Sequence, residues 1–395
     1  MIDFEVAPLT KELRRMSHKH NVNFTRKIVR YYDEYEHEHD EFKDEEIQAI
    51  RDHQAAMMQF RLDNKDMKSE RLGLSSVILG EEGSWGAPMF TGGASRTALG
   101  NAAINAVATK EQKERFGKMH AAMAITEPCC GSDTASIQAT AKLDEETNEW
   151  VLNGEKIFVT AGNRCECVVV WASLDRSQGR PAIKSFVVEK TRPGITVAKL
   201  EHKLGIRASD TASIILEDCR IPYDNILGSP EIQPKGGFKG VRATFDATRP
   251  AVAAMALGTG RAALDFTKEK FEEEGFTFPY DRSPHELSAI QRDILDMEAQ
   301  LDVSRLLIWR AGAMLDSGQR NSREASSAKA KAGKAASDVC QKCVALLGPL
   351  GYSREWLAEK FMRDCKITDL FEGTGQINML VVARLILGFK RDMLK

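Results

Sequence analysis

Three successive patterns of apolar and polar positions divide the 395-residue chain. The first 120 residues are rich in polar positions and typical of helices. Short apolar runs separated by Pro, Gly and Asp then predict strands at 168–171, 186–188 and 214–216. Helical spacing returns at about residue 237 and continues to the end. We therefore predict a helical domain over 1–120, a β domain over 121–236 and a helical domain over 237–395, which together form an α+β chain that is mainly α.

Short sequence signals predict where individual elements begin and turn. Thr109–Gln112 forms a capping box, which predicts a helix through Phe116. Asn153–Gly154, between two apolar triplets, predicts a β-hairpin with a tight type I′ turn. Because no helical segment separates the predicted strands, parallel βαβ units are not expected. The glycine-rich stretch 80–100 is expected to be irregular.

The C-terminal region predicts a set of packed helices. Ser283–Glu286 has the residue preferences of a helix start. The helix after it has an apolar stripe formed by Leu287, Ile290, Ile294, Met297, Leu301 and Ile308. A second helix over 322–347 stops at Gly348–Pro349. A last helix begins near Thr374, and one of its faces is formed by Ile377, Leu380, Val381 and Leu387.

Composition and charge narrow the class of protein. The chain has 55 Lys and Arg against 57 Asp and Glu, a net charge of −2, which argues against a general nucleic-acid binder. The sequence shows no run of the roughly 18–20 apolar residues that a membrane span requires, and its first residues lack the pattern of a secretory signal. Eight cysteines without dense spacing suit free thiols in a reducing compartment. These features favour a cytosolic globular enzyme.

Nine acidic residues lie between Asp33 and Glu46, interleaved with His37, His39 and Lys43. They allow two interpretations, a metal site built from His and carboxylate groups or a solvated helix face. We favour the solvated face, with the inward side formed by Ile28, Val29, Tyr32 and Tyr35. An EF-hand loop is excluded because no glycine stands at the turn position that its ligand spacing requires. We expect no bound metal.

The segment Ala124–Asp133, at the entrance of the β domain, carries the clearest candidate chemistry. Its hydroxyl groups and glycine suit a turn whose backbone N–H groups meet the oxygens of a ligand, although Gly-Ser-Asp is also ordinary turn chemistry. The cysteine pairs give a weaker signal. Cys340–Cys343 lacks a second pair for zinc, and we expect it, like Cys129–Cys130 and Cys165–Cys167, to consist of packing or loop thiols.

Four motifs, in order and across essentially the whole chain, resemble those of the acyl-CoA dehydrogenase family. They are Thr126-Glu127-Pro128-x-x-Gly131-Ser132-Asp133, Asn153-Gly154-x-Lys156-x-Phe158-Val159-Thr160, Phe245-Asp246-x-Thr248-Arg249-Pro250, and Arg363-Asp364-x-Lys366-Ile367 leading into Phe371-Glu372-Gly373-Thr374-Gly375-Gln376-Ile377. The resemblance implies that family's three-domain architecture, with an N-terminal helical domain, a middle β-barrel and a C-terminal four-helix bundle.

The resemblance implies an FAD site and a neighbouring substrate site. The first two motifs would contact the flavin and pyrophosphate through Ile125, Thr126, Gly131, Ser132, Phe158 and Thr160. The resemblance also assigns cofactor contacts to Gln291, Thr374 and Gln376. Substrate contacts are implied for Ser132, Asp246, Arg249 and Gly373, although Asp246 and Arg249 are equally suited to a structural ion pair.

Glu372 is the residue to which the resemblance assigns catalysis. It would remove the pro-R α-proton of an acyl-CoA while a hydride leaves Cβ for flavin N5. The Glu372 backbone N–H and a ribityl hydroxyl would polarise the thioester carbonyl. A dry pocket beside Phe371 would raise the pKa of this carboxyl toward the range of a base. Some relatives carry the base at the position of Thr248, and a threonine cannot serve.

The implied reaction is the oxidation of an acyl-CoA to the trans-2-enoyl-CoA, with electrons passed to an electron-transfer flavoprotein, as in the β-oxidation of fatty acids. Three alternatives stay open: a specialised relative acting on a cyclic, aromatic or branched acyl-CoA, an oxidase, and a non-catalytic partner subunit. The expected compartment is the bacterial cytoplasm or, as a mature protein, the mitochondrial matrix.

The chain departs from the family where a neighbouring subunit completes the FAD site. Glu274 stands about where an Arg contacts the pyrophosphate, with Arg282 as the nearby cation, and Ala345 and Pro349 replace a Gln and a Gly. Two assemblies stay open. One is a hetero-oligomer in which a related subunit supplies the missing groups, and the other is a homotetramer with a divergent FAD clamp.

Overall fold

The computed structural model describes residues 5–37, 44–64, 71–89, 99–232, 239–389 and 393, with the side chains of 44, 47 and 239–244 outside this description. Two helical regions flank a seven-stranded sheet. This order confirms the predicted fold class, and the domain boundaries at 120 and 236 stay a prediction. Among the described residues, no helix combines the length and the apolar character needed to cross a membrane.

The described part of the N-terminal region is helical. Its elements are α1 (Pro8–His20), a π-helical turn (Asn21–Thr25), α2 (Arg26–Tyr35), α3 (Asp44–Asp63), α4 (Leu72–Gly86), α5 (Leu99–Val107) and α6 (Lys110–Phe116). The capping box before α6 is confirmed, since Thr109 and Gln112 exchange backbone-to-side-chain hydrogen bonds. The irregular structure predicted from residue 80 is wrong as far as Gly86, because α4 continues there, and residues 90–98 lie outside the described residues.

The acidic segment does not behave as a simple solvated face. Asp33 and Glu36 are 1% and 3% exposed, whereas Tyr35, predicted to face inward, is 45% exposed. Ile28, Val29 and Tyr32 pack in the core as predicted. Burial opposes the ionisation of Asp33, but the hydrogen bond from Arg363 and nearby cations prevail and lower its pKa. The predicted solvated face is therefore wrong for these two carboxylates, and residues 38–43 lie outside the description.

Glu36 belongs to a cluster of His and carboxylate groups, which is the kind of cluster that a metal site would need. Its carboxylate lies near ring nitrogens of His37 and His202, and the three ligand atoms are within 4.8 Å of one another. Lys203 Nζ and Arg207 Nε also donate to this carboxylate, at 3.2 and 3.3 Å. Two cations already pair with Glu36, so the cluster forms an ion-pair network that joins α2 to the β region.

The middle region forms one sheet in the order β1-β4-β2-β3-β7-β6, with β5 paired to β4. Its strands are β1 (Ala121–Ala124), β2 (Thr140–Asp144), β3 (Glu149–Thr160), β4 (Cys167–Ser173), β5 (Ile183–Glu189), β6 (Ile195–Leu200) and β7 (Thr211–Pro222). The three strands predicted from apolar runs are confirmed as parts of β4, β5 and β7. Strand β4 pairs in parallel with β1 and β2 without an intervening α-helix, and its residues are all buried.

The hairpin predicted at Asn153–Gly154 is wrong. Both residues lie inside β3, where the register with β7 shifts between Leu152 and Gly154. Gly154 has a φ of 144°, and a Cβ there would lie 2.7 Å from Ala139 Cβ. The glycine therefore serves a bulge and a close approach between strands instead of a turn. The chain turns earlier, between β2 and β3, where Asn148 has a φ of 53°.

The C-terminal region packs long helices around one apolar core, which also receives α4. Its helices are α7 (Lys239–Glu273), α8 (Ala289–Asp316), α9 (Ser322–Leu347), α10 (Pro349–Tyr352), α11 (Ala358–Lys366) and α12 (Gly375–Leu387). The stops at Gly348 and the start after Thr374 are confirmed. The apolar stripe of α8 is also confirmed for the five predicted members within the helix, of which four are buried and Ile290 packs against the core, whereas Leu287 is buried but precedes the helix.

Helix α8 begins later than the sequence predicts. Ser283–Glu286 forms a capping box, but only a 3-10 turn over Pro284–Glu286 follows it. A second capping box, formed by Ser288 and Gln291, begins α8 at Ala289. On α12, Leu380 and Leu387 share a face that is exposed in this single chain.

Candidate active site

A sharp backbone turn at Glu372 and Gly373, called here the Glu372 turn, joins the end of the α11 region to α12. Both residues have left-handed angles, with φ of 57° at Glu372 and 85° at Gly373. Glycine adopts this region freely, whereas a glutamate there is strained and must be held by its surroundings. Thr374 then accepts a hydrogen bond from the Ile377 N–H at 3.2 Å and begins α12. Such local strain is a reason to look for function at this turn.

Two helices of the bundle hold the Glu372 turn through its carbonyl groups. Arg249 of α7 donates from Nε to the Glu372 carbonyl at 3.4 Å. Lys329 of α9 donates from Nζ to the Gly373 carbonyl at 2.6 Å, and Asn378 Nδ2 donates to the same oxygen at 2.7 Å. Both cationic side chains are buried. The strained backbone is therefore fixed by the core of the bundle.

The Glu372 carboxyl is in an environment suited to proton transfer. Thr248 donates from Oγ1 to Glu372 Oε2 at 2.7 Å. Burial raises the pKa of Glu372, and Thr248, Arg249 and Lys329 offset that rise only in part. The pKa therefore lies above the usual value for a glutamate. A carboxylate with a raised pKa is a stronger base, which is what abstraction of a weakly acidic proton requires.

The cations near Glu372 are themselves affected by burial. Burial lowers the pKa of Lys329 to about 8, although the charges of Asp369 and Glu372 act in the opposite direction. Burial also lowers the pKa of Arg249, against the attraction of Asp246 and Glu372. The Asp246 carboxylate lies 3.7 Å from the Arg249 guanidinium, so the ion pair expected as one alternative is present. Lys329 had no sequence signal beyond being a charged residue in an Ala-rich helix.

A second candidate region is the segment 125–133 between β1 and β2, which is anchored on β3. The Ile157 N–H donates to the Thr126 carbonyl at 2.9 Å. Lys156 Nζ donates to the Ile125 carbonyl at 3.1 Å and to Glu127 Oε1 at 2.7 Å. Burial lowers the pKa of Lys156, and the charge of Glu127 opposes this effect. Lys156 and Glu127 are 0% and 3% exposed, so they form a buried ion pair beneath the segment.

The Glu127 carboxylate also ties the segment to β2. It accepts hydrogen bonds from the backbone N–H groups of Gln138 and Ala139, at 2.5 and 3.0 Å. These bonds and Lys156 give the carboxylate a full set of partners, as a buried charge requires. Both residues stand in motifs of the family resemblance, which assigns neither of them a role. No local sequence signal distinguishes this ion pair from the other charged residues of the motifs, because its two partners stand 29 positions apart.

Phe158 presents its ring outward from β3. It is 60% exposed and has a φ of 56°, and the register with β7 is interrupted between Lys156 and Val159. An aromatic residue held in left-handed backbone geometry is strained, and such strain clusters at ligand sites. Because Phe158 follows Ile157, which bonds to Thr126, its backbone lies next to the 125–133 segment. The role of this ring as the aromatic wall that the resemblance implies stays a prediction.

A buried donor without a partner supports a ligand site at this place. Among the described residues, no hydrogen-bond acceptor meets the indole Nε1–H of Trp171, which is buried on β4. Trp171 belongs to an apolar cluster with Cys130, and Ile125 packs against that cluster. Buried donors are normally satisfied. The residues present therefore fit a polar planar group such as a flavin between the 125–133 segment and Phe158.

Other predicted site residues have more ordinary surroundings in this single chain. Gln291 Nε2 donates to the Thr277 carbonyl at 2.8 Å, and its Oε1 accepts from the Ser288 N–H at 2.9 Å, so its side chain completes a helix start. Gln376 is exposed on α12, as are Gly131 and Ser132 in their turn. Thr160 ends β3 opposite Thr211.

Family models and individual relatives of this chain all belong to the same protein family. Residues 122–219 match the family model "Acyl-CoA dehydrogenase, middle domain", and residues 235–387 match "Acyl-CoA dehydrogenase, C-terminal domain". The chain is 40% identical over 282 residues to the mitochondrial short-chain specific acyl-CoA dehydrogenase of Bos taurus, which covers 70% of this chain and 66% of that protein. The chain thus spans slightly less than two thirds of that relative.

A bacterial relative and a solved structure match more completely. The chain is 32% identical over 289 residues to the caffeyl-CoA reductase-Etf complex subunit CarC of Acetobacterium woodii, covering 71% of this chain and 73% of that protein. The structure of butyryl-CoA dehydrogenase from Megasphaera elsdenii superposes with a TM-score of 0.82 and 27% identity, covering 98% of this chain and 100% of the other.

Proposed function

Because the chain belongs to the acyl-CoA dehydrogenase family, we propose that it is an FAD-dependent dehydrogenase of an acyl-CoA thioester, with Glu372 as its base. The observation that carries this proposal is the Glu372 turn. A strained glutamate with a raised pKa is held by Thr248 and Arg249, and Lys329 holds the next residue, Gly373. The product is the trans-2-enoyl-CoA.

Glu372 removes the α-proton of the acyl group. The proton passes to the Glu372 carboxylate, whose raised pKa favours this transfer over what an exposed glutamate would achieve. Thr248 holds one carboxylate oxygen and so fixes the orientation of the base. The family resemblance assigns polarisation of the thioester carbonyl to the Glu372 backbone N–H. The bonds to the Glu372 and Gly373 carbonyls support that role, since they fix the peptide groups of the turn.

The residues fit FAD in the region between the 125–133 segment and Phe158. Ile125, Thr126, Gly131, Ser132, Phe158 and Thr160 are the residues that would hold it, and the unpartnered Trp171 N–H adds a donor there. When bound, FAD supplies the acceptor for the hydride that leaves Cβ. The buried Lys156–Glu127 pair keeps the segment in place.

The substrate class is proposed from the relatives. Two of them are named for short-chain acyl groups, the bovine short-chain specific enzyme and butyryl-CoA dehydrogenase. A short saturated acyl-CoA is therefore the first substrate to test, with cyclic, aromatic and branched acyl-CoAs as the alternatives. We propose an electron-transfer flavoprotein as the electron acceptor, because the Acetobacterium relative belongs to a complex named for one.

A neighbouring subunit completes the FAD site in the family, and this chain departs from the family at the residues involved. Glu274 and Arg282 are exposed at and beyond the end of α7, and Pro349 begins α10 where the family has a Gly. We propose a hetero-oligomer in which a related subunit supplies the pyrophosphate-binding Arg. Native mass spectrometry of the chain expressed alone tests it. A homotetramer with one FAD per subunit would contradict the hetero-oligomer and support the divergent homotetramer.

The experiment that tests the base is the substitution Glu372→Gln in the flavin-loaded protein. We expect retained FAD and no reduction of the flavin by an acyl-CoA that reduces the wild-type protein, because the amide cannot accept the α-proton. Glu355→Gln, at an exposed position of the same domain, is the matched control. Flavin reduction by Glu372→Gln at the wild-type rate would overturn the assignment.

A further inference from the structure

Two adjacent cysteines close a tight turn within the 125–133 segment. Backbone hydrogen bonds join Glu127 and Cys130 in both directions, at 2.9 and 3.1 Å, so that Pro128 and Cys129 form the loop. The Sγ atoms of Cys129 and Cys130 lie 3.9 Å apart. Both thiols also lie near Glu127 Oε2, at 3.9 and 3.8 Å. The two sulfurs therefore lie on the same side of the turn, within contact of each other.

The two thiols differ in access, since Cys129 is exposed and Cys130 is buried. The structure describes all eight cysteines, and of these Cys129 alone is exposed. Burial raises the pKa of Cys165 and Cys219 to about 11, which disfavours attack by these thiols on a reagent from solvent. Burial, Cys129 and Glu127 raise the pKa of Cys130 to about 12. A thiol reagent thus meets Cys129 first, and the sulfur next to it is that of Cys130.

The turn is also coupled to the candidate flavin site. A disulfide needs a sulfur–sulfur distance of about 2.05 Å. The sulfurs must therefore approach from 3.9 Å, and because the two residues are adjacent, the backbone between them must adjust. The same backbone carries the Glu127–Cys130 hydrogen bonds, and Glu127 connects it to Lys156 and hence to the strand that holds Phe158. A change in the turn therefore reaches the residues proposed to hold the cofactor.

We propose that Cys129 and Cys130 are a redox-responsive dithiol, which a small-molecule disulfide converts to a disulfide within the turn, and that the oxidised turn binds the flavin less tightly. The effect on flavin rests on the proposed function, whereas the reaction of the thiols does not. None of the four family motifs specifies a cysteine at either position, so the proposed dithiol does not follow from the family resemblance.

The reaction proceeds by two thiol–disulfide exchanges. The Cys129 thiolate attacks one sulfur of glutathione disulfide, a mixed disulfide forms, and one glutathione thiolate leaves. The Cys130 sulfur, 3.9 Å from that of Cys129, then attacks the Cys129 sulfur, and its proton passes to the second glutathione thiolate as this leaves. The two protein thiols lose two electrons and two protons, and the glutathione disulfide is reduced to two glutathione molecules. A strained disulfide of this kind is readily reduced, so dithiothreitol reverses the change.

Intact-mass measurement of the flavin-loaded protein, treated with glutathione disulfide without oxygen, tests the dithiol. We expect the wild-type chain to become lighter by two hydrogen atoms. Peptide mapping should place this loss in the peptide that contains residues 129 and 130. Cys130→Ser should instead gain one glutathione at Cys129, and Cys129→Ser should not react. Cys130→Ala repeats the second result if Ser disturbs the turn. A wild-type chain that keeps a stable glutathione adduct at Cys129, or stays unmodified, would overturn the proposal.

Flavin retention after desalting tests the coupling separately. We expect the oxidised wild-type protein to bind flavin about tenfold more weakly, the effect of losing one charge-assisted hydrogen bond, and to recover after dithiothreitol. Cys129→Ser, treated identically, should retain its flavin. A disulfide that forms without any change in flavin affinity would refute the coupling. A chain that never binds flavin would contradict the proposed function, while the mass result would still decide the reaction of the thiols.

Discussion

Thr248 offers a sharp test of how the bundle sets the properties of Glu372. Thr248→Ala removes the hydroxyl that donates to Glu372 Oε2 at 2.7 Å. That bond stabilises the ionised carboxylate, so its loss moves the pKa of Glu372 further upward from a value that burial already raises. Since the reaction needs the ionised base, activity falls as the pH drops, and the variant should lose activity at a higher pH than the wild-type protein does.

The size of the effect follows from the energy of one bond. A hydrogen bond to a charged group contributes about 1.5 kcal/mol or more, and about 1.4 kcal/mol corresponds to a factor of ten in an ionisation equilibrium. We therefore expect kcat to fall about tenfold on the acidic side of the profile. At high pH, where the base is ionised in both proteins, kcat should change much less.

The assay is the rate of flavin reduction by a saturating acyl-CoA, followed in a stopped-flow instrument across pH. Thr248→Ser keeps the hydroxyl and is the matched control, so its profile should stay close to that of the wild-type protein. An acidic limb that does not move in Thr248→Ala, or that moves equally in Thr248→Ser, would refute the reasoning.

Three further predictions follow from the same structure. Lys329→Met removes a buried cation that favours ionised Glu372 and a donor to the Gly373 carbonyl, so the acidic limb should again move upward, with Lys329→Arg as the control that retains the charge. Flavin reduction after Glu372→Gln should fall below detection while FAD stays bound. Lys156→Met leaves the Glu127 carboxylate buried without its cation, which should cost about 3–5 kcal/mol of unfolding free energy in urea denaturation.

The candidate site could be predicted from sequence as far as local motifs reach. Glu372, Gly373 and Arg249 stand in motifs to which the family resemblance assigns roles, and the structure brings the three residues together. Lys329 could not be found in this way. It stands 44 positions from Gly373, and nothing in its own helix indicates that a distant turn will supply its acceptor.

The fold also depends on contacts between residues far apart in the sequence, which local sequence patterns do not predict. Gly154 was assigned to a turn because a glycine after an asparagine fits a hairpin, yet the same freedom fits a bulge, and the partner strand decides between them. Asp33 was placed at the surface, because its partner Arg363 is 330 positions away and could not be seen from the local sequence. Of two capping boxes five residues apart, only the one at Ser288 precedes a continuous helix.

The central claim is most directly tested by an anaerobic titration of the flavin-loaded protein with butyryl-CoA and longer, branched, cyclic and aromatic acyl-CoAs, monitored through the flavin absorbance band. We predict that one class of acyl-CoA bleaches the band of the wild-type protein. The band of Glu372→Gln, at the same FAD content, should not be bleached. Bound flavin that no acyl-CoA of the series reduces, or equal bleaching in Glu372→Gln, would contradict it.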